Sequence, residues 1–170
     1  MPGPGRQQRY REVISHFATG VSVVTAEGAE GPSGLTANAL CSLSLEPLML
    51  LVCVDNSART LPQMRAAGRF AVNILRHEQH ALSGVFASKA PEREKFKEVP
   101  WSSRAGVPVL SGALAWLACE LREIHEGGDH TIVIGDVLDM DSDPDGRPLL
   151  WYRGSYGLFE HGTPAEARLI

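Results

Sequence analysis

The chain has 170 residues, of which 44% are hydrophobic, and a formal net charge of −4 at pH 7. A chain of this length is typical of one domain with its own core, and its interspersed charges leave no basic stripe for a nucleic acid backbone. No apolar run approaches the ~18 residues of a membrane span, so we expect neither a nucleic acid nor a membrane partner.

The cysteines and the N-terminus indicate the compartment. Cys41, Cys53 and Cys119 are an odd number without CxxC spacing, which favours reduced, buried thiols. No apolar signal segment follows the N-terminal arginines. We therefore expect a soluble, cytoplasmic protein.

The first predicted element is a short amphipathic helix that begins at Arg6 and ends near Thr19-Gly20. Its apolar face has the spacing i, i+3, i+4, i+7 and comprises Tyr10, Val13, Ile14 and Phe17. The Pro/Gly-rich residues before it predict a frayed start.

The rest of the chain reads mainly as strands. The segments with β-branched, aromatic or alternating apolar residues are 21–26, 35–43, 48–54, 70–75, 113–124, 131–140, 149–152 and 156–159. Helical spacing recurs after Ser57 up to Gly68 and over residues 77–87, whereas 88–97 reads as a charged surface segment and 101–108 as a loop.

Turn signals join several of these strands. Glu126 to Asp129 predicts a hairpin turn, and Asp143 to Gly146 predicts a second turn. These strands lie before and after a helical middle, without the strict alternation of a doubly wound sheet. The pattern favours an antiparallel β-barrel with a few peripheral helices.

The usual nucleotide and hydrolase motifs do not occur in this sequence. There is no GxGxxG, GxxxxGK[ST], GxSxG or HExxH. A nucleotide that binds this chain must be held in another way.

The stretch from Gly34 to Thr60 offers two polar segments on either side of an apolar strand. We expect a flat ligand, a flavin, at one end of this strand and an anion at the other. Asp55 to Thr60 is the anion candidate, because amides at a helix start favour a phosphate and Arg59 adds charge. Alternatively, Ser57 is an ordinary N-cap and Arg59 a solvated surface residue.

The segment Thr36-Ala37-Asn38-Ala39 is small and polar where a strand should carry bulk. Small side chains let a planar ring approach the backbone, and Asn38 or Ser42 could hydrogen-bond the edge of such a ring. A tight strand crossing explains the same residues equally well.

Two further candidates lie in the second half of the chain. His130 follows the hairpin turn and could contact a ligand near neutral pH, or it is a solvated turn histidine. Because His125, Asp129 and His130 lack the spacing of a zinc site, we expect no metal. The aromatic segment 151–156 suits a pocket wall or an oligomer interface, or a plain core hairpin.

Five motifs in order resemble the flavin reductase-like family, the FMN-binding split barrels that serve two-component flavin monooxygenases. The motifs are FATGVSVVTA, GLTANALCSLSLEPLMLLVCVDNSART, FAVNIL, GDHTIVIGDV and LLWYRGSYGLF. The resemblance covers about Phe17 to Phe159. It implies a mainly β, antiparallel split barrel of Greek-key type that forms a homodimer.

The resemblance also implies a binding site. The positions that contact the flavin ring match Thr36, Ala37, Asn38, Ala39, Leu40, Ser42 and Ser44. The positions that bind the flavin phosphate match Asp55, Ser57, Arg59 and Thr60, with Phe86, Ser88 and Lys89 nearby. The aromatic residues that close the pocket match Tyr152 and Tyr156. His130 matches the family's GDH motif, beside the nicotinamide. The family often has Asn-Ser-Phe where this chain has Asn38-Ala39-Leu40.

The implied function is an NAD(P)H:flavin oxidoreductase that passes a hydride from NADH or NADPH to FMN or FAD and supplies a partner monooxygenase. We expect a flexible segment at 1–9, a flavin reductase-like domain at 10–160 and a tail at 161–170. The alternatives are a non-catalytic flavin-binding module and a split barrel that acts on another small molecule or binds heme.

Overall fold

The computed structural model describes residues 4–160. Within this range there are four α-helices and twelve strands. The helices are α1 (Pro4–Ile14), α2 (Thr60–Ala67), α3 (His80–Ala87) and α4 (Glu92–Phe96). The strands are β1 (Thr19–Gly20), β2 (Ser22–Gly28), β3 (Gly31–Ala37), β4 (Leu40–Leu45), β5 (Leu48–Asp55), β6 (Arg69–Ile74), β7 (Trp101–Arg104), β8 (Val107–Leu110), β9 (Ala115–Gly127), β10 (His130–Ser142), β11 (Leu150–Tyr152) and β12 (Ser155–Gly157).

A seven-stranded sheet in the order β3-β2-β6-β9-β10-β5-β4 forms the body of the protein. All its pairings are antiparallel. The edge strands β3 and β4 are joined by Asn38 and Ala39 alone. Because so short a link spans only about 11 Å, the two edges of the sheet must approach each other, and the sheet curls into a barrel. The mainly β, antiparallel fold predicted from the sequence is confirmed.

The core lies inside the curled sheet. Along β5 the side chains of Leu50, Val52 and Val54 are buried, whereas their neighbours point to the other face. Phe70 and Val72 of β6 pack in the same cluster. A second cluster, which includes Val23, Phe86 and Phe96, lies beneath the helices and holds α3 and α4 against the sheet.

The hairpin predicted around Glu126 to Asp129 is confirmed. β9 and β10 pair antiparallel along most of their length, and His130 lies opposite Gly127. The turn uses Gly128, whose φ is +77°, a conformation that glycine adopts without strain. The turn at Asp143 to Gly146 is also present.

The first helix differs from the prediction. It ends at Ile14, and Thr19-Gly20 forms β1 instead of the helix end. The apolar residues of α1 remain 49–68% exposed within the monomer, and Phe17 after it is 71% exposed, because they do not pack on the core of this chain. The helix begins at Pro4, so the domain boundary expected after residue 9 falls inside it, and the expected tail at 161–170 lies outside the described residues.

Three other predictions were wrong in detail. The strand predicted over 35–43 is divided between β3 and β4 by residues 38–39. The loop predicted over 101–108 is the hairpin of β7 and β8, whose turn has positive φ at Ala105 and Gly106. The surface segment over 88–97 contains α4, in which Lys95 and Phe96 are buried.

No helix within residues 4–160 has the length and apolarity needed to cross a bilayer.

Candidate flavin site

The two polar segments that flank β5 in sequence lie at the same end of that strand. β4 runs antiparallel to β5, so the chain before β4 returns to the C-terminal end of β5. The amide of Cys53 donates a hydrogen bond to the carbonyl of Ala39 at 2.9 Å. The expectation that the two segments lie at opposite ends of the strand was therefore wrong, because the β4–β5 hairpin brings them to the same end.

A cavity of about 880 Å³ lies beside this junction. We call it the ring cavity. Its lining residues are Arg11, Ile14, Ser15, Phe17, Ala18, Thr19, Gly20, Val21, Ser22, Asn38, Ala39, Leu40, Cys41, Leu51, Cys53, Ile74, Trp151 and Gly154. The volume falls within the ~300–1,000 Å³ of small-molecule sites.

Of the residues predicted to hold the ring, Asn38, Ala39 and Leu40 line the cavity. The Asn38 amide nitrogen donates to the Thr19 hydroxyl at 3.2 Å, which connects the link between β3 and β4 with β1. Ser42 and Ser44 lie further along β4, outside the lining.

Thr36 and Ala37 do not line the cavity but anchor the chain just before its lining residues. The Thr36 hydroxyl donates to the carbonyl of Ser83 in α3 at 2.7 Å. Ala37 is buried in the barrel core, and its carbonyl accepts a hydrogen bond from the Ser22 hydroxyl at 2.8 Å. Both residues position the segment that follows them.

The anion candidate Ser57 is turned towards Asp55. Its amide and its hydroxyl both donate to Asp55 Oδ1, each at 2.7 Å. The Ser57 hydroxyl and amide hold the pKa of the Asp55 carboxyl below its usual 3.8. Ser57 is not the N-cap, since α2 begins at Thr60 and Arg59 occupies the capping position.

Arg59 is held in place by the segment before α4 and by α4 itself. Its Nη2 donates to the carbonyls of Lys89 and Ala90 and lies 3.2 Å from Glu92 Oε1. Glu92 also pairs with the buried Lys95 at 3.2 Å. Because two cations share one carboxylate, this cluster keeps a net positive charge, as a phosphate site requires.

The remaining phosphate candidates differ in their exposure. Thr60 is 1% exposed and its hydroxyl accepts a hydrogen bond from Ser33 at 2.9 Å. Phe86 of α3 is buried in the core. The Ser88 hydroxyl donates to the Val85 carbonyl at 2.7 Å, and Lys89 is exposed.

His130 lies at the start of β10, directly opposite Asp55 of β5. Its Nδ1 is 2.8 Å from Asp129 Oδ1, and the side chain is 43% exposed. Side chains alternate along a strand, so His130 shares the outer face of the sheet with Ile132 and Cys53. This places it beside the ring cavity but outside its lining.

The C-terminal aromatic segment contributes a different residue from those predicted. Trp151 lines the ring cavity, whereas Tyr156 packs on Trp151 with ring centroids 5.0 Å apart and donates to the Ser83 hydroxyl at 3.0 Å. Tyr152 lies edge-on to His16 at 6.3 Å. The two tyrosines therefore support the cavity wall from outside it.

Sequence reasoning missed much of the lining. Phe17 to Ser22 supply a continuous part of the wall, although the FATGVS motif already lay in the matched region. Cys41 and Cys53 also line the cavity, against the expectation of buried thiols. Cys119 is buried, and burial raises the pKa of its thiol to about 12.

Within the described part of the chain, no group of three or more His, Cys, Asp or Glu side chains is placed to hold a metal ion.

The fold and the site define a class: an antiparallel barrel with an open, ligand-sized cavity beside the end of one strand. Residues 14–159 match the model of the flavin reductase like domain. The chain therefore belongs to the flavin reductase-like family.

Relatives align over nearly the whole chain. The reductase subunit HsaB of a flavin-dependent monooxygenase from Mycobacterium tuberculosis is 38% identical, over 94% of this chain and 87% of its own length. The FMN reductase (NADH) SmoA from Agrobacterium fabrum is 36% identical, over 94% of this chain and 90% of its own.

Solved structures have the same fold. Nitrilotriacetate monooxygenase component B from Mycobacterium thermoresistibile superposes with a TM-score of 0.90, at 36% identity over 96% of this chain and 93% of that chain. The NADH:FAD oxidoreductase SgcE6 from Streptomyces globisporus superposes with a TM-score of 0.88, at 35% identity over 96% and 98%.

Proposed function

We propose that this chain is an NAD(P)H:flavin oxidoreductase that passes a hydride from a nicotinamide to FMN or FAD. The observation that carries this proposal is the ring cavity, which the Asn38-Ala39 link borders where the two sheet edges meet. Family membership and the flavin reductases among its relatives support it.

The residues of the cavity fit a planar, polar-edged ring. Gly20 and Ala39 are small, so a ring can approach the backbone closely, while Ile14, Leu40 and Trp151 provide apolar surface. Flavin bound here would supply the hydride acceptor, since hydride chemistry belongs to the cofactor. The protein positions the flavin and the nicotinamide and provides the charged groups that bind them.

Each part of the site has a separate task in this proposal. Asn38, fixed by Thr19, is available to hydrogen-bond the edge of the ring. The positive cluster around Arg59 attracts the phosphate. His130 stands at the same end of the sheet, where it orients the nicotinamide against the ring. Such a site needs to hold its two partners about 3–3.5 Å apart and requires no protein nucleophile.

We infer that the reduced flavin serves a partner monooxygenase. The support comes from relatives, since HsaB is the reductase subunit of a flavin-dependent monooxygenase and a further structural neighbour is the flavin reductase of styrene monooxygenase.

We also infer that the protein acts as a homodimer. The outer face of the barrel is apolar around the ring cavity, where Leu51 and Cys53 lie opposite Ile134 and Ile132. The apolar face of α1 is exposed beside it. A sheet with apolar residues on both faces is normally covered on both, and a second copy that covers this face would close the open side of the cavity.

Steady-state kinetics test the reductase proposal. NADH and NADPH are each combined with FMN, FAD and riboflavin, and loss of the nicotinamide absorbance band is followed. We expect sustained turnover in at least one combination. Flavin binding without turnover in any combination would support the non-catalytic alternative, and a heme spectrum in the purified protein would overturn the flavin assignment.

A further inference from the structure

A second groove, of about 810 Å³, is lined by Arg59 and by residues at the start of β3. We call it the β3–α4 groove. Its lining residues are Gly28, Ala29, Glu30, Gly31, Pro32, Ser33, Arg59, Gln63, Pro91, Glu92, Arg93, Phe96, Lys97 and Trp101. It shares no lining residue with the ring cavity.

Strand β3 runs from the groove to the ring cavity. Pro32 and Ser33 line the groove, and Asn38 lines the ring cavity. Six residues of extended strand cover roughly 20 Å, at about 3.3 Å per residue. The proposed phosphate site adjoins the groove, because Thr60 is hydrogen-bonded to the groove residue Ser33 and Arg59 lines the groove.

The groove has an excess of positive charge. Arg59, Arg93 and Lys97 line it together with the carboxylates of Glu30 and Glu92. The carboxylate of Glu92 is already shared between Arg59 and the buried Lys95, so it offsets little of the remaining charge. Arg93 Nη2 lies 3.7 Å from Glu94 Oε1, but the Arg93 side chain is 93% exposed. Lys97 is also exposed, so both cations are accessible to an anionic group.

Trp101 provides a flat apolar surface at the edge of the same groove. The side chain is 37% exposed. Its ring is edge-on to Phe96, with centroids 6.5 Å apart and an interplanar angle of 82°, and this contact fixes its orientation. A fixed indole with an exposed surface is a platform on which a nucleobase stacks.

We propose that the β3–α4 groove binds an adenosine phosphate group, with the base on Trp101 and the phosphate near Arg93 and Lys97. This inference rests on the proposed function, which supplies two sources of such a group: the adenylate half of FAD and that of the nicotinamide co-substrate. The spacing along β3 favours FAD, whose ring would occupy the ring cavity while its phosphates pass Arg59.

The test compares flavins that differ only in the adenylate half. Dissociation constants of FAD and FMN are measured by flavin fluorescence for the wild type, Trp101→Ala, and the double variant Arg93→Glu with Lys97→Glu. We expect both variants to weaken FAD about tenfold and to leave FMN within about twofold, in the range of lost base–aromatic stacking. Arg104→Glu, an exposed charge reversal on the same hairpin but outside the groove lining, is the matched control.

A second measurement distinguishes the adenylate of FAD from that of the nicotinamide co-substrate. If the variants instead raise the KM for NADH with FMN as acceptor, the adenylate comes from the nicotinamide. Equal losses for FAD and FMN, or no change in any of these quantities, overturn the groove proposal. Failure of the wild type to bind or reduce any flavin would instead overturn the proposed function, so the two failures are distinguishable. The charge-reversal pair keeps the test valid if Trp101→Ala does not fold.

Discussion

The amide of Cys53 donates to the carbonyl of Ala39 at 2.9 Å, and this contact holds the link between β3 and β4 against the end of β5. Ala39 thereby becomes an exposed residue in the wall of the ring cavity. A larger side chain at position 39 enters the cavity without disturbing the barrel core.

We therefore expect Ala39→Trp to weaken FMN, FAD and riboflavin alike by tenfold or more, about 1.4 kcal/mol, with the unfolding temperature little changed. Flavin fluorescence titration measures the affinities. Ala66→Trp, at an exposed position of α2 outside the lining, is the control. Unchanged flavin affinity in Ala39→Trp would show that the ring does not bind here.

His130 is predicted to affect the hydride step rather than flavin affinity. It lies opposite Asp55 on the outer face of the sheet, outside the lining of the ring cavity. We expect His130→Ala to lower kcat about tenfold, equivalent to ~1.4 kcal/mol of barrier, with the flavin Kd unchanged. His125→Ala, on the same face of neighbouring β9, is the control in stopped-flow reduction. Equal rates in the two variants would remove His130 from the mechanism.

Val13 tests the proposed dimer. It is 65% exposed on the apolar face of α1, beside the cavity residue Ile14. Because a charge buried without a partner is strongly unfavourable, Val13→Glu should shift the protein from dimer to monomer and weaken flavin binding. Light scattering after gel filtration gives the mass. Gln8→Glu, a charge added to the same helix on the side opposite its apolar face, should leave the mass unchanged. A monomeric wild type contradicts the proposal.

Ser57 should make a contribution to stability that depends on pH. Its hydroxyl and amide lower the pKa of Asp55 from 3.8, so the folded protein holds this proton less tightly than the unfolded chain. The stabilisation is then present at a pH above the pKa of Asp55 in the unfolded chain. It is lost as the pH falls through the lower pKa of Asp55 in the folded protein. Unfolding midpoints of the wild type and Ser57→Ala should differ at neutral pH and converge well below pH 3.8. A difference between the two unfolding midpoints that does not change with pH would contradict the role of Ser57 in lowering the pKa of Asp55.

Gly34 is predicted to be essential for packing. A Cβ at this position would lie 2.8 Å from Phe86 Cε1 and 3.3 Å from Phe96 Cζ, and Phe86 is only 1% exposed. We expect Gly34→Ala to lower the free energy of unfolding by about 1–3 kcal/mol. Gly84→Ala is the matched control, since a Cβ there meets nothing within 4 Å and removing a helical glycine should stabilise by about 0.5–1 kcal/mol. Denaturant titration compares the two.

Local patterns were sufficient to predict most strands and the hairpin that leads to His130. Alternating apolar residues and glycine turn signals act over a few residues, so β9, β10 and their turn can be read from the chain alone. The β7–β8 hairpin was missed because its turn, Ala105-Gly106, lacks the usual Asn-Gly or Asp-Gly signal. The end of α1 was missed because Phe17 continues the helical spacing although the helix ends at Ile14.

By itself, the sequence determined the barrel class, the family resemblance, and the candidates Asn38 to Leu40 and Arg59. Only the tertiary structure decided which of these candidates border one cavity. The antiparallel return of β4 brings Ala39 beside Cys53, and the packing of α4 against β3 ties Arg59 to Glu92. Both relationships join residues distant in sequence, so they depend on the pairing of strands and the burial of a shared core, which no local spacing encodes.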